Sequence, residues 1–209
     1  MIAVVDYGVG NLFSLSSSLA SVGAHAVVTG DADAIRSAEK IILPGVGAFA
    51  DAAKKLRESG LFSVIREEAR GGKPLLGICL GMQLLFEKSY EFGEHDGLSL
   101  IPGAVRPIAE KIPVGLKIPH IGWNALCFQE GGHPLFQYIK NGDFVYFVHS
   151  YSAVDCEADT IATAEYGVPL TAAVARNNVI GCQFHPEKSG DVGLSILRAF
   201  CESDFGRRI

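Results

Sequence analysis

No apolar run in the sequence reaches the ~18 residues of a membrane-spanning helix. The N-terminus also lacks the basic stretch, apolar core and small-residue cleavage site of an export signal. Lys and Arg never gather with interleaved aromatics and the net charge is −5, so a nucleic-acid partner has nothing to rest on. Arg207-Arg208 near the C-terminus is too short a run to count. The five cysteines are odd in number and show no C-x-x-C spacing, which argues against both a disulfide framework and a zinc site. Repeats, low-complexity tracts and linkers are missing as well. The sequence therefore reads as a soluble, reduced, cytoplasmic protein whose motifs call for no metal and no cofactor.

What is present is material for one large core. The chain has 209 residues, 48% hydrophobic and 20% charged, and a single domain over residues 1–209 is expected. In the first half, short apolar strands alternate with helical patterns. Strands are predicted at 2–5, 26–28, 40–43 and 74–78. Asn11 is placed to cap a helix whose Leu12, Leu15, Leu19 and Val22 share a face, and another helix is expected from Leu80 to Phe86. Strands joined through helices must be parallel and covered on both faces, giving an α/β fold with a mostly parallel central sheet. Near Gly115 the rhythm changes. Segments 144–148, 160–164, 170–174 and 179–184 follow without helices between them, as antiparallel strands added to that sheet. A last helix from Asp191 to Cys201 turns Val192, Ile196, Leu197 and Phe200 inward.

Three segments carry chemistry. Gly77-Ile78-Cys79-Leu80-Gly81 lies between a buried strand and a helix, a G-x-C-x-G version of the nucleophile elbow. A sharp strand-to-helix turn strains the backbone at Cys79, and the glycines two positions to either side let chains pack closely. The helix start favours negative charge on the sulfur, and the Leu80 amide is free to meet an oxyanion. Taken by itself, Cys79 fits a packed core cysteine equally well. Among the six histidines only His185 follows an apolar strand and precedes a carboxylate by two residues. In extended chain, positions i and i+2 point the same way, so Glu187 can orient the imidazole. Alone, His-Pro-Glu also fits a surface turn. Leu43-Pro44-Gly45-Val46-Gly47 ends a strand with two glycines around Val46, which permits a peptide orientation that presents an amide to an oxyanion. It is equally a βα turn, though it lacks the Lys-Ser/Thr of a phosphate-binding loop, and Gly8-Val9-Gly10 lacks a third glycine.

Together these segments resemble the triad (class I) glutamine amidotransferases, in the order Cys, His, Glu. Val5 to Leu12, Leu43 to Phe49, Pro119 to Asn124 and Tyr146 to Tyr151 narrow the resemblance to the glutaminase subunits that serve histidine biosynthesis. The resemblance implies Cys79 as nucleophile, His185 as acid and base, and Glu187 as its orienter. It implies an oxyanion hole from the amides of Val46 and Leu80. Gln83 and Glu91 would hold the glutamine, with the backbone of His149, Ser150 and Tyr151 around its α-groups. Asn11, Trp123, Tyr146 and Lys188 would face a partner, a (β/α)8-barrel cyclase subunit forming a heterodimer and consuming the ammonia. Trp123, the sole tryptophan, fits either an interface anchor or the core. The alternatives are a triad amidotransferase of anthranilate, guanylate or pyridoxal phosphate synthesis, or a cysteine hydrolase.

Overall fold

Four consecutive apolar residues leave no polar face, so Ile2–Val5 (β1) is buried on both sides. The structure is a computed structural model that describes residues 1–205; Arg207 and Arg208 lie outside the described residues. Asn11 Oδ1 accepts the amide of Ser14 at 3.4 Å and caps Leu12–Ser21 (α1), which buries Leu15 and Leu19. The alternation continues through Ala26–Thr29 (β2), Ala32–Ser37 (α2), Lys40–Gly45 (β3), Phe49–Glu58 (α3), Leu61–Arg70 (α4) and Leu75–Cys79 (β4). Strands β2, β1, β3 and β4 lie in that order, all parallel.

The first departure from expectation follows the elbow. The helix predicted from Leu80 to Phe86 stops after one turn, Leu80–Gln83 (α5), and Phe86–Ser89 (β5) is a strand. Leu84, Leu85 and Phe86 are all fully buried, so a continued helix would have had no polar side to show to solvent. Phe86 instead pairs with Ile101. Strand β5, His95–Asp96 (β6) and Ile101–Pro107 (β7) begin a second sheet that the sequence reading did not anticipate.

His120–Phe128 (β8) and Phe144–His149 (β9) form an antiparallel ribbon with Trp123 opposite Tyr146 and His120 opposite His149. After Ser150 the chain leaves that ribbon and enters Tyr151–Val154 (β10), which pairs with β7. Ser150 is thus the crossing point between the two sheets. Thr160–Glu165 (β11), Pro169–Arg176 (β12), Val179–Cys182 (β13) and Gly190–Glu202 (α6) complete the described elements. The main sheet runs β2-β1-β3-β4-β13-β12-β11-β8-β9, and the second β10-β7-β5-β6. Strand β13 is parallel to β4 and antiparallel to β12, so five parallel strands are extended by four antiparallel ones.

Strand β1 alternates between two cores. Ala3 and Val5 join the cluster under α2, α3 and α4, while Ile2 and Val4 join the one under α1 and α6. The first cluster also holds Phe86, Val105 and Ala153 of the second sheet, so the two sheets share a core. Helix α6 is tied down by an unexpected donor. Lys40 Nζ donates to the carbonyls of Phe200, Cys201 and Ser203 at 2.6–2.8 Å, satisfying groups that a helix end leaves open.

Candidate active site

Ligand sites in sheets of this kind form beyond the carboxyl ends of the parallel strands. Three adjacent ends, of β3, β4 and β13, supply the central groups here. The register sets Gly45 beside Cys79, which brings Val46 alongside the sulfur. Strand β13 ends at Cys182, three residues before His185.

Cys79 closes β4 with φ 54° and ψ −110°, a left-handed conformation that few non-glycine residues adopt. Space explains its neighbours. A Cβ on Gly81 would fall 1.8 Å from the Leu43 carbonyl oxygen, and one on Gly77 2.6 Å from the Gly81 oxygen. The elbow therefore presses against β3, and only hydrogen atoms fit between. Leu80 opens α5, so its amide has no acceptor within the helix.

His185 Nδ1 and Glu187 Oε1 are 2.8 Å apart, both side chains nearly inaccessible. The contact is not made in extended chain, as the i, i+2 reasoning assumed. Pro186–Lys188 is a 3-10 turn with His185 as its cap, and the Ser189 hydroxyl donates to the His185 carbonyl at 2.6 Å to hold it. Burial lowers the proton affinity of His185. Hydrogen bonding and charge from Cys79 and Glu187 outweigh it and raise the imidazole to about 9. The Cys79 thiol is near enough to contribute to that shift, but its well-formed contact is with Gln183 Nε2, at 3.7 Å. Glu187 Oε2 is buried without a hydrogen-bond partner among the described residues.

These groups open onto a cleft of about 440 Å³. Cys79, His185, Val46 and Leu80 line it together with Gln83, Glu91, His149, Ser150 and Tyr151. Every nucleophile, oxyanion and substrate residue named from the sequence is thus brought to one cleft, with Glu187 behind His185. Gln83 Nε2 donates to the Tyr151 carbonyl at 3.2 Å and to Gln183 Oε1 at 3.0 Å. Glu91 Oε2 accepts the Phe49 amide at 2.6 Å, so the same carboxylate that lines the cleft caps α3. Val46 is 40% exposed at the rim.

The four residues expected to face a partner divide. Trp123 is 52% exposed, meets Tyr146 edge to face at 6.0 Å, and Lys188 Nζ lies 5.9 Å over the Tyr146 ring. Lys188 also lines the cleft. Asn11 is absent from the cleft and lines a narrow cavity shared with His185 and Glu187.

Two contributors escaped the sequence reading. Gln183 carries the link from Gln83 to Cys79, and its only signal was its place between a buried strand and His185. Tyr7 donates its hydroxyl to the Pro44 carbonyl at 2.8 Å and steadies the loop before Val46; burial, then the nearby Cys79, pushes its phenol well above the usual range. Its aromatic ring next to Gly8 was visible, but not what lay opposite.

The family described as Glutamine amidotransferase class-I matches residues 3–203. "Imidazole glycerol phosphate synthase subunit HisH" of Sulfurimonas denitrificans is 51% identical over 202 residues, 96% of this chain and 97% of that protein. The protein of the same description from Caldanaerobacter subterraneus subsp. tengcongensis is 50% identical over 203 residues, 97% of this chain and 98% of its own length. Among solved structures, one titled "Crystal structure of glutamine amidotransferase" superposes with a TM-score of 0.74 at 20% identity, over 96% of this chain and 99% of that one. Another, "Structure of PurLQS from Thermotoga maritima", gives 0.71 at 20% identity, over 95% and 96%. At such identity the two structures speak for the fold alone.

Proposed function

The chain belongs to the class I glutamine amidotransferases, within them to the HisH subunits of imidazole glycerol phosphate synthase, and from that premise we propose how its cleft works. As a member it is the glutaminase subunit of that synthase in histidine biosynthesis and has a partner subunit. The observation that carries the site reading is the convergence of Cys79, at a strained elbow, with the His185–Glu187 pair in one cleft.

In this reading the Cys79 thiol gives its proton to His185 and the thiolate attacks the side-chain amide carbon of glutamine, so that the carbon–sulfur bond forms as the carbonyl becomes an oxyanion. The amides of Leu80 and Val46 receive that charge, an arrangement typically worth about 3 kcal/mol per donor. His185 gives a proton to the departing nitrogen, ammonia leaves, and a thioester remains. The same imidazole then takes a proton from water, which attacks the thioester and releases glutamate. Glu187 stabilises the imidazolium and fixes which nitrogen faces the sulfur. Gln83, Glu91 and the 149–151 backbone hold the substrate.

Ammonia free in neutral water is protonated and no longer a nucleophile, so it must be handed over directly. The recipient is a (β/α)8-barrel cyclase subunit in a heterodimer, docked over Trp123, Tyr146 and Lys188 with Asn11 nearby. There the ammonia goes into imidazole glycerol phosphate and an aminoimidazole carboxamide ribonucleotide. The Val46 peptide completes the oxyanion hole only when that partner and its ligand are bound. Residues 1–209 are read as one amidotransferase domain, supported by the core that both sheets share. A cytoplasmic setting goes with this pathway.

The test is glutamate release from glutamine, with and without the cyclase subunit and its nucleotide ligand. The expected result is slow hydrolysis alone, strong activation by the two together, and loss of at least about 10³-fold in Cys79→Ala. Full activity of the isolated chain would remove the coupling. Unchanged hydrolysis in Cys79→Ala would remove the mechanism.

A further inference from the structure

The most connected polar cluster outside the triad is a pair of buried histidines. His120 on β8 and His149 on β9 are register partners, and His120 Nδ1 lies 3.0 Å from His149 Nε2. Both outer nitrogens are engaged as well. His120 Nε2 is 2.7 Å from Asn124 Oδ1, and His149 Nδ1 is 2.8 Å from the Tyr151 carbonyl oxygen.

Counting protons exposes a deficit. The Tyr151 carbonyl can only accept. Asn124 cannot turn over, because its Nδ2 donates to the Glu165 carbonyl at 2.8 Å, so its Oδ1 faces His120 and accepts too. Each outer nitrogen must then carry a hydrogen, and the contact between the rings needs a third. Two neutral imidazoles bring two. With the outer positions filled, two lone pairs face each other at 3.0 Å in a buried site.

We propose that a third proton, taken from solvent, is held between His120 Nδ1 and His149 Nε2, and that the pair so charged positions glutamine. This rests on the glutaminase reading. The carbonyl that His149 holds belongs to Tyr151, on the cleft wall, and Gln83 Nε2 donates to the same oxygen. From Gln83 the chain runs through Gln183 to the Cys79 sulfur. Charged, the pair pins one end of this chain. Neutral, with both outer nitrogens still protonated, it loses the contact between the rings, and the 149–151 segment that His149 opens loosens with it. His149 and His120 are positioning residues, since neither has a place in the bond-making steps.

Burial works against the proton and pushes His149 down to about 4; the Tyr151 carbonyl favours it, and the charges of His120 and His185 oppose it. Tyr166 stacks on His120, and Cys79, Glu91 and Lys188 line the same cleft as His149. None of these places a carboxylate in contact with either ring. What favours uptake is that the proton replaces a repulsive contact with a bond, so the pair titrates above the value that burial sets for His149 alone.

Histidine-selective nitrogen NMR of the full chain between about pH 5 and 8 tests this directly. The expected spectrum shows both rings moving together in one step, with the outer nitrogens protonated throughout. Two rings fixed as neutral tautomers over the whole range would overturn the proposal. No glutamine is needed, so this outcome is separate from a failure of the glutaminase reading. In kinetics, KM for glutamine should rise about fivefold, one hydrogen bond's worth, as pH climbs through that step, with kcat unaffected by it. Asn124→Asp keeps an acceptor and adds negative charge, which moves the step to higher pH. Asn124→Leu removes the acceptor, so His120 can turn its proton toward His149, and the step vanishes from both spectrum and KM profile. Variants that lose stability yet leave the step where it was would show a structural role only and refute the pair. Should either variant fail to fold, the wild-type spectrum still decides.

Discussion

At Glu187 one carboxylate oxygen changes what pH does to the molecule. His185 is raised from 6.5 to about 9, despite burial, partly through that neighbour. A histidine whose folded value lies above its unfolded one adds stability that is fully present below about pH 6.5 and is lost as pH rises through about 9. In Glu187→Gln one of the raising influences is gone, so the alkaline loss should be smaller and complete at lower pH. Urea unfolding midpoints measured from pH 6 to about 10 would show it. Coincident curves for the two proteins would mean that Glu187 does not sustain the imidazolium.

Elements were legible where one pattern had one meaning. Ile2–Val5, the capped helix after Asn11 and the antiparallel run after Gly115 follow directly from apolar runs, a side-chain cap and the absence of helical spacing. The stretch from Leu80 to Phe86 was ambiguous, because a wholly buried helix and a buried strand look alike in sequence. The second sheet stayed hidden for a related reason. Its strands are set apart by Gly93 and Gly97, broken by Gly103 within β7, and paired across distances no local pattern reveals. At the site, the triad and the cleft residues could be named because spacing and motif carry them. Gln183 and the His120–His149 contact could not, since they depend on which strands become neighbours. The elbow gives the sharpest prediction at this scale. Gly81→Ala would force a Cβ to within 1.8 Å of the Leu43 oxygen, which requires α5 to lift away from β3. Destabilisation of about 3 kcal/mol or more is expected, read by thermal or urea unfolding. A variant as stable as wild type would show that the elbow gives way easily against β3.

Across the whole molecule, structure and partner docking should be separable by substitution. Trp123 is half exposed and its ring rests on Tyr146 rather than in a core. Trp123→Ala is expected to change unfolding by within about 0.5 kcal/mol. It should weaken binding of the proposed cyclase partner by 2 kcal/mol or so, roughly thirtyfold, in a titration. Equal binding would move the docking face elsewhere. Lys40 sits at the far side of the fold and should behave oppositely. Lys40→Met strips three carbonyls at the end of α6 of their donor, with an expected cost of about 2 kcal/mol in folding and no effect on glutamine turnover.

Strand β8 bears two obligations on alternate residues: Ile121 and Trp123 are exposed, whereas His120 and, more partially, Asn124 turn inward. Heredity can treat those two rows differently. Point substitutions on the outer row can follow a changing partner generation by generation while the inner row is left alone. An inserted or deleted codon between Pro119 and Asn124 cannot be so partitioned, because a one-residue slip exchanges the rows outright. Lineages should therefore vary this strand in letters and never in length.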